Sequence, residues 1–246
     1  MLTKTDMNER LALVDKSQLD PKELQALCAA GDEIQECYRV LSKAKMNIVG
    51  ECLKNQGAFM KFNHYPKGDV YDWETHAQYY YHTHRGIADE HGHFHTFMRA
   101  RGMPDGVEPV PYDGDVDWPS GKDAVSHIIA ISMDKFGYPV GLFATNRWVT
   151  GETWYAAEDV VAMVDNYRID HAYPNWPVNR WITAMFRLFR HEIFALLRHR
   201  DEVVARWGRE HVGVDTFEDR DLEITGFISA TVEDQLEAVD QALGSR

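Results

Sequence analysis

The stretch HTHRGIADEHGHFH, residues 82 to 95, carries five histidines at alternating positions on either side of a short interval. Side chains alternate across a β-strand, so His82 and His84 share one face of a first strand, while His91, His93 and His95 share one face of a second. Whether the two sets meet depends on the turn between them. Directly opposed residues point the same way, so pairing His84 with His91 leaves a six-residue turn, Arg85 to Glu90, and gathers all five rings on one side. The apolar residues select this register, because Tyr79 and Tyr81 then share the reverse face with Phe94 and Met98, as a half-buried hairpin requires.

Five imidazoles on one face repel one another on protonation unless a metal or an anion joins them. Cross-strand neighbours lie about 4.5–5.5 Å apart at Cβ, a separation from which two rings can reach one ion at about 2.0–2.1 Å. His82, His84, His91, His93 and His95 are therefore the candidate metal ligands. An all-imidazole donor set suits iron, copper, zinc or nickel rather than magnesium or calcium, which prefer oxygen. The aromatic surroundings and the surplus of histidines favour iron with redox or oxygen chemistry on a small molecule, followed by zinc-assisted hydrolysis. Either needs an open coordination position, so not every histidine is a ligand. A metal-binding or sensing protein without turnover would instead close the shell.

Around this cluster, Glu90 is a candidate third ligand type or a general base, with a turn carboxylate as the plain reading. Arg85 either orients an anionic substrate or pairs with Asp89. Tyr80 shares the histidine face, and His127, at the head of the next hairpin, can reach it; both would hydrogen-bond behind the ligands. His64 and His76 stand alone and read as ordinary polar residues. His171, His191, His199 and His211 take structural or solvated roles, as do Arg187 and Arg190. Glu152 and Trp154 in TGETWY suggest a helix cap or a pocket wall.

The chain of 246 residues reads as one domain of α+β class: an antiparallel sheet of about four to five strands, with an N-terminal helical hairpin and C-terminal helices packed on it. Residues 1–19 form a polar arm. Asp20, Pro21 and Glu23 open a short helix that ends near Gly31, and Asp32 opens a second that Gly57 stops, giving a helical hairpin over 20–57. Residues 76–149 hold the histidine strands and a second hairpin, SHIIAISM and PVGLFATNRWV. Between the two hairpins, RGMPDGVEPVPYDGDVDWPSG is a long loop expected to cover a site. The section 155–246 is mainly helical, with one helix over about 179–207 and a late strand, LEITGFIS. Cys28, Cys37 and Cys52 lack paired metal spacing and fall on apolar helix positions, as buried thiols do.

A net charge of −13 argues against nucleic acid or an anionic membrane as partner and leaves a small molecule or a cation. The N-terminal residues show no signal-peptide core, so a cytoplasmic location is expected. Oligomeric state leaves no trace in the sequence.

Three resemblances bear on function. HGHFHTF, residues 91–97, resembles the histidine-triad signature of nucleotide hydrolases and transferases, which would make His93 a nucleophile toward phosphate; Gly92 and Thr96 depart from its apolar positions. HTH at 82–84 with Glu90 resembles part of a cupin metal motif, although the carboxylate lies further along and the second motif is missing. HTHR with EHGHFH resembles the signature of an uncharacterised bacterial family, a resemblance that implies no activity.

Overall fold

The computed structural model describes residues 10–85 and 89–244. Among them, seven strands form one mixed sheet in the order β1-β7-β6-β5-β4-β3-β2. The strands are β1 (Arg10–Leu11), β2 (Tyr65–Tyr71), β3 (Ala77–His82), β4 (Gly92–Arg99), β5 (Val125–Met133), β6 (Pro139–Thr145) and β7 (Ile224–Ser229). Neighbours are antiparallel except β1 and β7, which run parallel. The expected antiparallel sheet of four to five strands is thus replaced by a larger, mixed one, to which β1 and β2 are additions. Both additions lie where the sequence gives little strand signal. β2 contains Pro66, and Gly68 and Asp69 at positive φ, and its pairing with β3 shifts between Tyr65 and Val70. The two-residue β1 lies in the supposed polar arm, which is also anchored by Lys16, buried against Glu192.

The α-helices are α1 (Pro21–Lys43), α2 (Ile48–Leu53), α3 (Arg147–Thr150), α4 (Ala157–Val164), α5 (Trp176–Leu188), α6 (Arg190–Glu210) and α7 (Val232–Gly244). The expected cap opens α1: the Asp20 carboxylate accepts from the Lys22 and Glu23 amides at 2.8 and 2.9 Å, and Glu23 accepts from the Asp20 amide at 3.2 Å. Gly31 does not end this helix. A Cβ there would sit 2.3 Å from Leu236 Cδ2, so the glycine serves close packing between α1 and α7. The long helix expected over 179–207 starts earlier, at Trp176 behind the Asn175 cap, and is interrupted at Phe189. The strand expected to run through Val149 stops at Thr145, because Asn146 caps α3 and Gly151 ends it in the left-handed region.

The main core lies on one sheet face. Tyr79, Tyr81, Phe94, Met98, Ile131 and Leu142 from the strands meet Leu24, Ile34, Trp181, Ile193 and Val239 from the helices. Cys37 and Cys52 are buried and Cys28 is half-buried, with burial pushing the Cys37 thiol up to about 11. The opposite face carries the histidines and a small cluster of Ala130, Phe143 and Ile224. The long 100–121 loop, expected to cover a site, packs on a separate cluster of Trp154, Val203, Val204 and Leu222. Its Tyr112 and Trp118 stack at 4.1 Å and pack on Phe217 beside Trp154.

Candidate metal centre

The β3–β4 ladder pairs Tyr80 with His95 and His82 with His93, the register expected from alternation. One face then receives Tyr80, His82, His93 and His95, and the other receives Tyr79, Tyr81 and Phe94. One nitrogen from each of His82, His93 and His95 lies within 4.8 Å of the others, and these three rings form a cluster that could hold a metal ion. Two nitrogens on one ion at about 2.0–2.1 Å are at most about 4.2 Å apart, so small ring rotations close the set.

The two outer histidines of the quoted stretch differ. His84 lies beyond the end of β3, half-buried, with its ring 4.8 Å from that of His82 and 5.0 Å from that of His93. His91 precedes β4 and turns away, its Nδ1 hydrogen-bonded to the Tyr81 hydroxyl at 2.7 Å and its ring stacked on Phe59. Gly92 makes this possible. A Cβ there would lie 2.6 Å from the Tyr81 hydroxyl oxygen and 2.5 Å from the His82 carbonyl oxygen. The proposed turn includes residues 86–88, which lie outside the described residues.

Hydrogen bonds behind the rings set which nitrogen faces inward. His93 Nδ1–H donates to Glu90 at 2.9 Å, which leaves the Nε2 lone pair directed at the cluster, 2.8 Å from His82 Nε2. His95 Nδ1 is hydrogen-bonded to His127 Nε2 at 2.9 Å, so the His95 Nε2 is likewise the inward atom. Glu90 also accepts from the Ser132 hydroxyl and, at 3.4 Å, from Arg85. Arg85 thus meets Glu90 rather than Asp89, and its guanidinium lies 4.3 Å over the Phe143 ring. Burial acts to raise the Glu90 carboxyl, but His93, Arg85 and Ser132 outweigh it and hold the group below its ordinary value.

Burial also governs the imidazoles. It pushes His82 down to about 2, His84 to about 4 and His127 to about 3, with neighbouring rings adding to the effect at the first two and Arg200 at the third. His95 is driven well below the ordinary histidine value for the same reason. Neutral imidazole is the form that ligates. Burial lowers His93 too, against the hydrogen bond and charge of Glu90. His82 Nδ1 is buried and makes no hydrogen bond among the described residues.

Two further contributors were not expected at the site. His64 stacks on Tyr80 at 3.5 Å and stands edge-on to His82 at 5.8 Å, while Ser132 reaches Glu90 from β5. Ser132 could have been found by pairing β4 with β5, since it opposes His93; His64 sits before β2 with no periodic signal. His76 is a turn residue at positive φ, bonded to the Tyr71 hydroxyl. Glu152 is buried, accepting from the His127 amide at 2.6 Å, and Trp154 is buried beneath Arg200.

The imidazole donor set and the orphaned nitrogen fit a transition metal rather than an oxygen-seeking cation. No helix of the described residues is long and apolar enough to cross a membrane. No curated protein matches the chain. No solved structure matches it either. Residues 28–230, which include every candidate ligand, match a family described as Domain of unknown function (DUF6969), and the chain belongs to that family of unknown function.

Proposed function

We propose that the protein is a metal-dependent enzyme in which His82, His93 and His95 hold a single transition-metal ion, with iron favoured. The observation that carries this reading is the convergence of three neutral imidazoles from paired strands, two of them held from behind by Glu90 and His127. Iron is preferred over zinc for the aromatic residues and surplus histidines around the three rings. An iron ion here supplies redox chemistry toward dioxygen and a small-molecule substrate.

The chain's own residues hold and shield the centre. Glu90 keeps the His93 proton on Nδ1, so that ring presents a lone pair without rearrangement, and His127, bonded to His95 Nδ1, holds the His95 ring with Nε2 toward the cluster. Phe143, Phe97 and Tyr80 surround the rings with apolar surface that excludes water. Half-buried His84 borders the cluster toward solvent, while the Arg85 guanidinium is enclosed between Glu90 and the Phe143 ring, where it supports the carboxylate behind His93. Zinc-dependent hydrolysis is the second reading, because three histidines with one open position are also a catalytic zinc donor set. The triad reading gains nothing from the geometry: His93 is fully buried against another imidazole, out of reach of a phosphate.

Elemental analysis of protein purified without a metal-affinity column tests the reading. About one iron per chain, lost in His82→Ala, His93→Ala and His95→Ala, is the expected result; zinc at the same stoichiometry moves the assignment to the hydrolase. Azide added to the cobalt-substituted protein should shift its visible spectrum if a coordination position is open. An unchanged spectrum would identify a closed, non-catalytic site, and protein that retains no metal would end the proposal.

A further inference from the structure

On the histidine face of the sheet, but further along β3, lies a cleft of about 500 Å³ whose charge runs against that of the chain. Gln78 is four residues from His82 on that strand, roughly 13 Å at the usual rise, with Tyr80 between them. Arg99, Arg101 and Lys122 all line the cleft, and among the described residues none of the three is paired with a carboxylate. The acidic residue in the lining, Asp69, is already engaged: it accepts from Gln78 Nε2 at 2.6 Å and is bonded to His64 Nδ1 at 3.0 Å. Gln78 in turn accepts from Arg99 Nε at 2.6 Å, which fixes that guanidinium through one edge and leaves its terminal nitrogens for something else.

Trp73 forms one wall and is 81% exposed. It is not on a loose tail. The Asp72 carboxylate accepts from the amides of Glu74, Thr75 and Asp170 at 2.8–3.0 Å, pinning the turn that carries the indole. Tyr71 meets the Trp73 ring edge-on at 4.7 Å. A large aromatic surface held rigidly in water beside three uncompensated cations is a stacking platform next to an anion site.

A larger cleft of about 910 Å³ between α1, α5 and α6 also holds arginines, including Arg101. There, Arg101 apart, the arginines are matched within the protein: Arg190 with Asp165, Arg168 with Glu74, and Arg187 with Glu33. The smaller cleft alone combines spare positive charge with an open ring face.

We propose that the Trp73 cleft binds a small anion bearing a flat ring, a phosphorylated or carboxylated aromatic molecule of about nucleotide size. The overall negative charge of the chain disfavours a nucleic-acid strand as occupant, since most of the surface would repel it. The volume falls in the usual range for small-ligand sites of about 300–1,000 Å³. This site is independent of any ion at the histidines, so the two readings fail separately.

Calorimetry and tryptophan fluorescence on chelator-treated full-length protein test it with four probes: adenosine 5′-monophosphate, 2-naphthoate, inorganic phosphate and adenosine. At least one ring-bearing anion should bind and quench fluorescence, with phosphate and adenosine weaker by about tenfold or more. Preference for the monophosphate or for naphthoate identifies a phosphate or a carboxylate ligand. Trp73→Ala should abolish the quench and weaken binding about tenfold, Trp73→Phe should retain binding, and Arg101→Gln with Lys122→Gln should weaken it by at least tenfold. All three side chains are exposed, and circular dichroism confirms that the variants fold. Binding of neither ring anion, equal binding of bare phosphate, or affinity unchanged in Trp73→Ala would overturn the proposal.

Discussion

Replacing Glu90 with Gln keeps the size of the side chain and removes the charge behind His93. The native carboxylate accepts from His93 Nδ1 at 2.9 Å in a nearly buried position, with a side chain only 4% exposed, so solvent does little to screen the loss. Hydrogen bonds to charged groups contribute about 1.5–3 kcal/mol and neutral ones about 0.5–1.5 kcal/mol. The difference, about 1–2 kcal/mol, corresponds to a roughly 5–30-fold weaker hold on a metal. That agrees with the loss of about 10–100-fold typical when a group behind a metal-bound histidine is removed. Competition of the apo-protein for cobalt(II) against a chromophoric chelator at pH 7.5 measures the change. Because the effect passes through His93, Glu90→Gln should cost nothing further in a His93→Ala background. An affinity within twofold of the parent protein, with the fold intact, or equal losses in both backgrounds, would refute the argument.

The Gly92→Ala substitution should destabilise the protein by about 1–3 kcal/mol or more in urea unfolding, since the new methyl meets the His82 carbonyl and the Tyr81 ring and cannot be relieved by side-chain motion alone. The Lys16→Met variant should lose about 3–5 kcal/mol, because it removes the cation from the buried Glu192 carboxylate and leaves it the Val14 amide and Gln235 as neutral donors among the described residues. Stability of the metal-free protein should fall as pH drops below about 6.5: His82, His84, His95 and His127 resist protonation in the folded state and accept protons once unfolded, each adding up to about 1.4 kcal/mol per pH unit. Glu152, which burial raises to about 8, works in the opposite sense, losing stability as pH rises from about 4.5, but it is one carboxyl against four imidazoles. Unfolding free energies that stay flat between pH 7 and 5.5 would contradict this balance.

What the sequence disclosed depended on whether a feature repeats. The faces of β3 and β4 were legible because six paired residues alternate without interruption, and burial of Tyr79, Tyr81 and Phe94 opposite the histidines follows from that alternation. His91 matched the same period yet left the cluster, since the strand begins only at Gly92 and a hydroxyl from the reverse face captures its ring. Period alone does not say where a strand starts. β2 was invisible for the converse reason: proline, glycine and a positive-φ aspartate within seven residues read as a turn, and its bulged pairing is imposed by β3. Gly31 was misread as a stop because a helix terminus and a close helix crossing use the same residue type, and only the position of Leu236 separates them.

The histidine face poses an energetic question that its fold does not answer. Positions 82, 93 and 95 are buried, on a sheet whose other face is filled by Tyr, Phe, Met and Ile, and apolar residues at these sites would stabilise the chain through burial alone. Imidazoles there give up hydration on both ring nitrogens. Glu90 and His127 restore a partner at one nitrogen of His93 and of His95, yet His82 Nδ1 stays unsatisfied and two inward Nε2 atoms face each other at 2.8 Å. Without an ion, only one of those two atoms can carry the proton between them. A sequence that breaks the rules of core composition at three adjacent positions, while supplying hydrogen bonds behind two of them, is accounted for by the proposed ion that the three rings would hold in common.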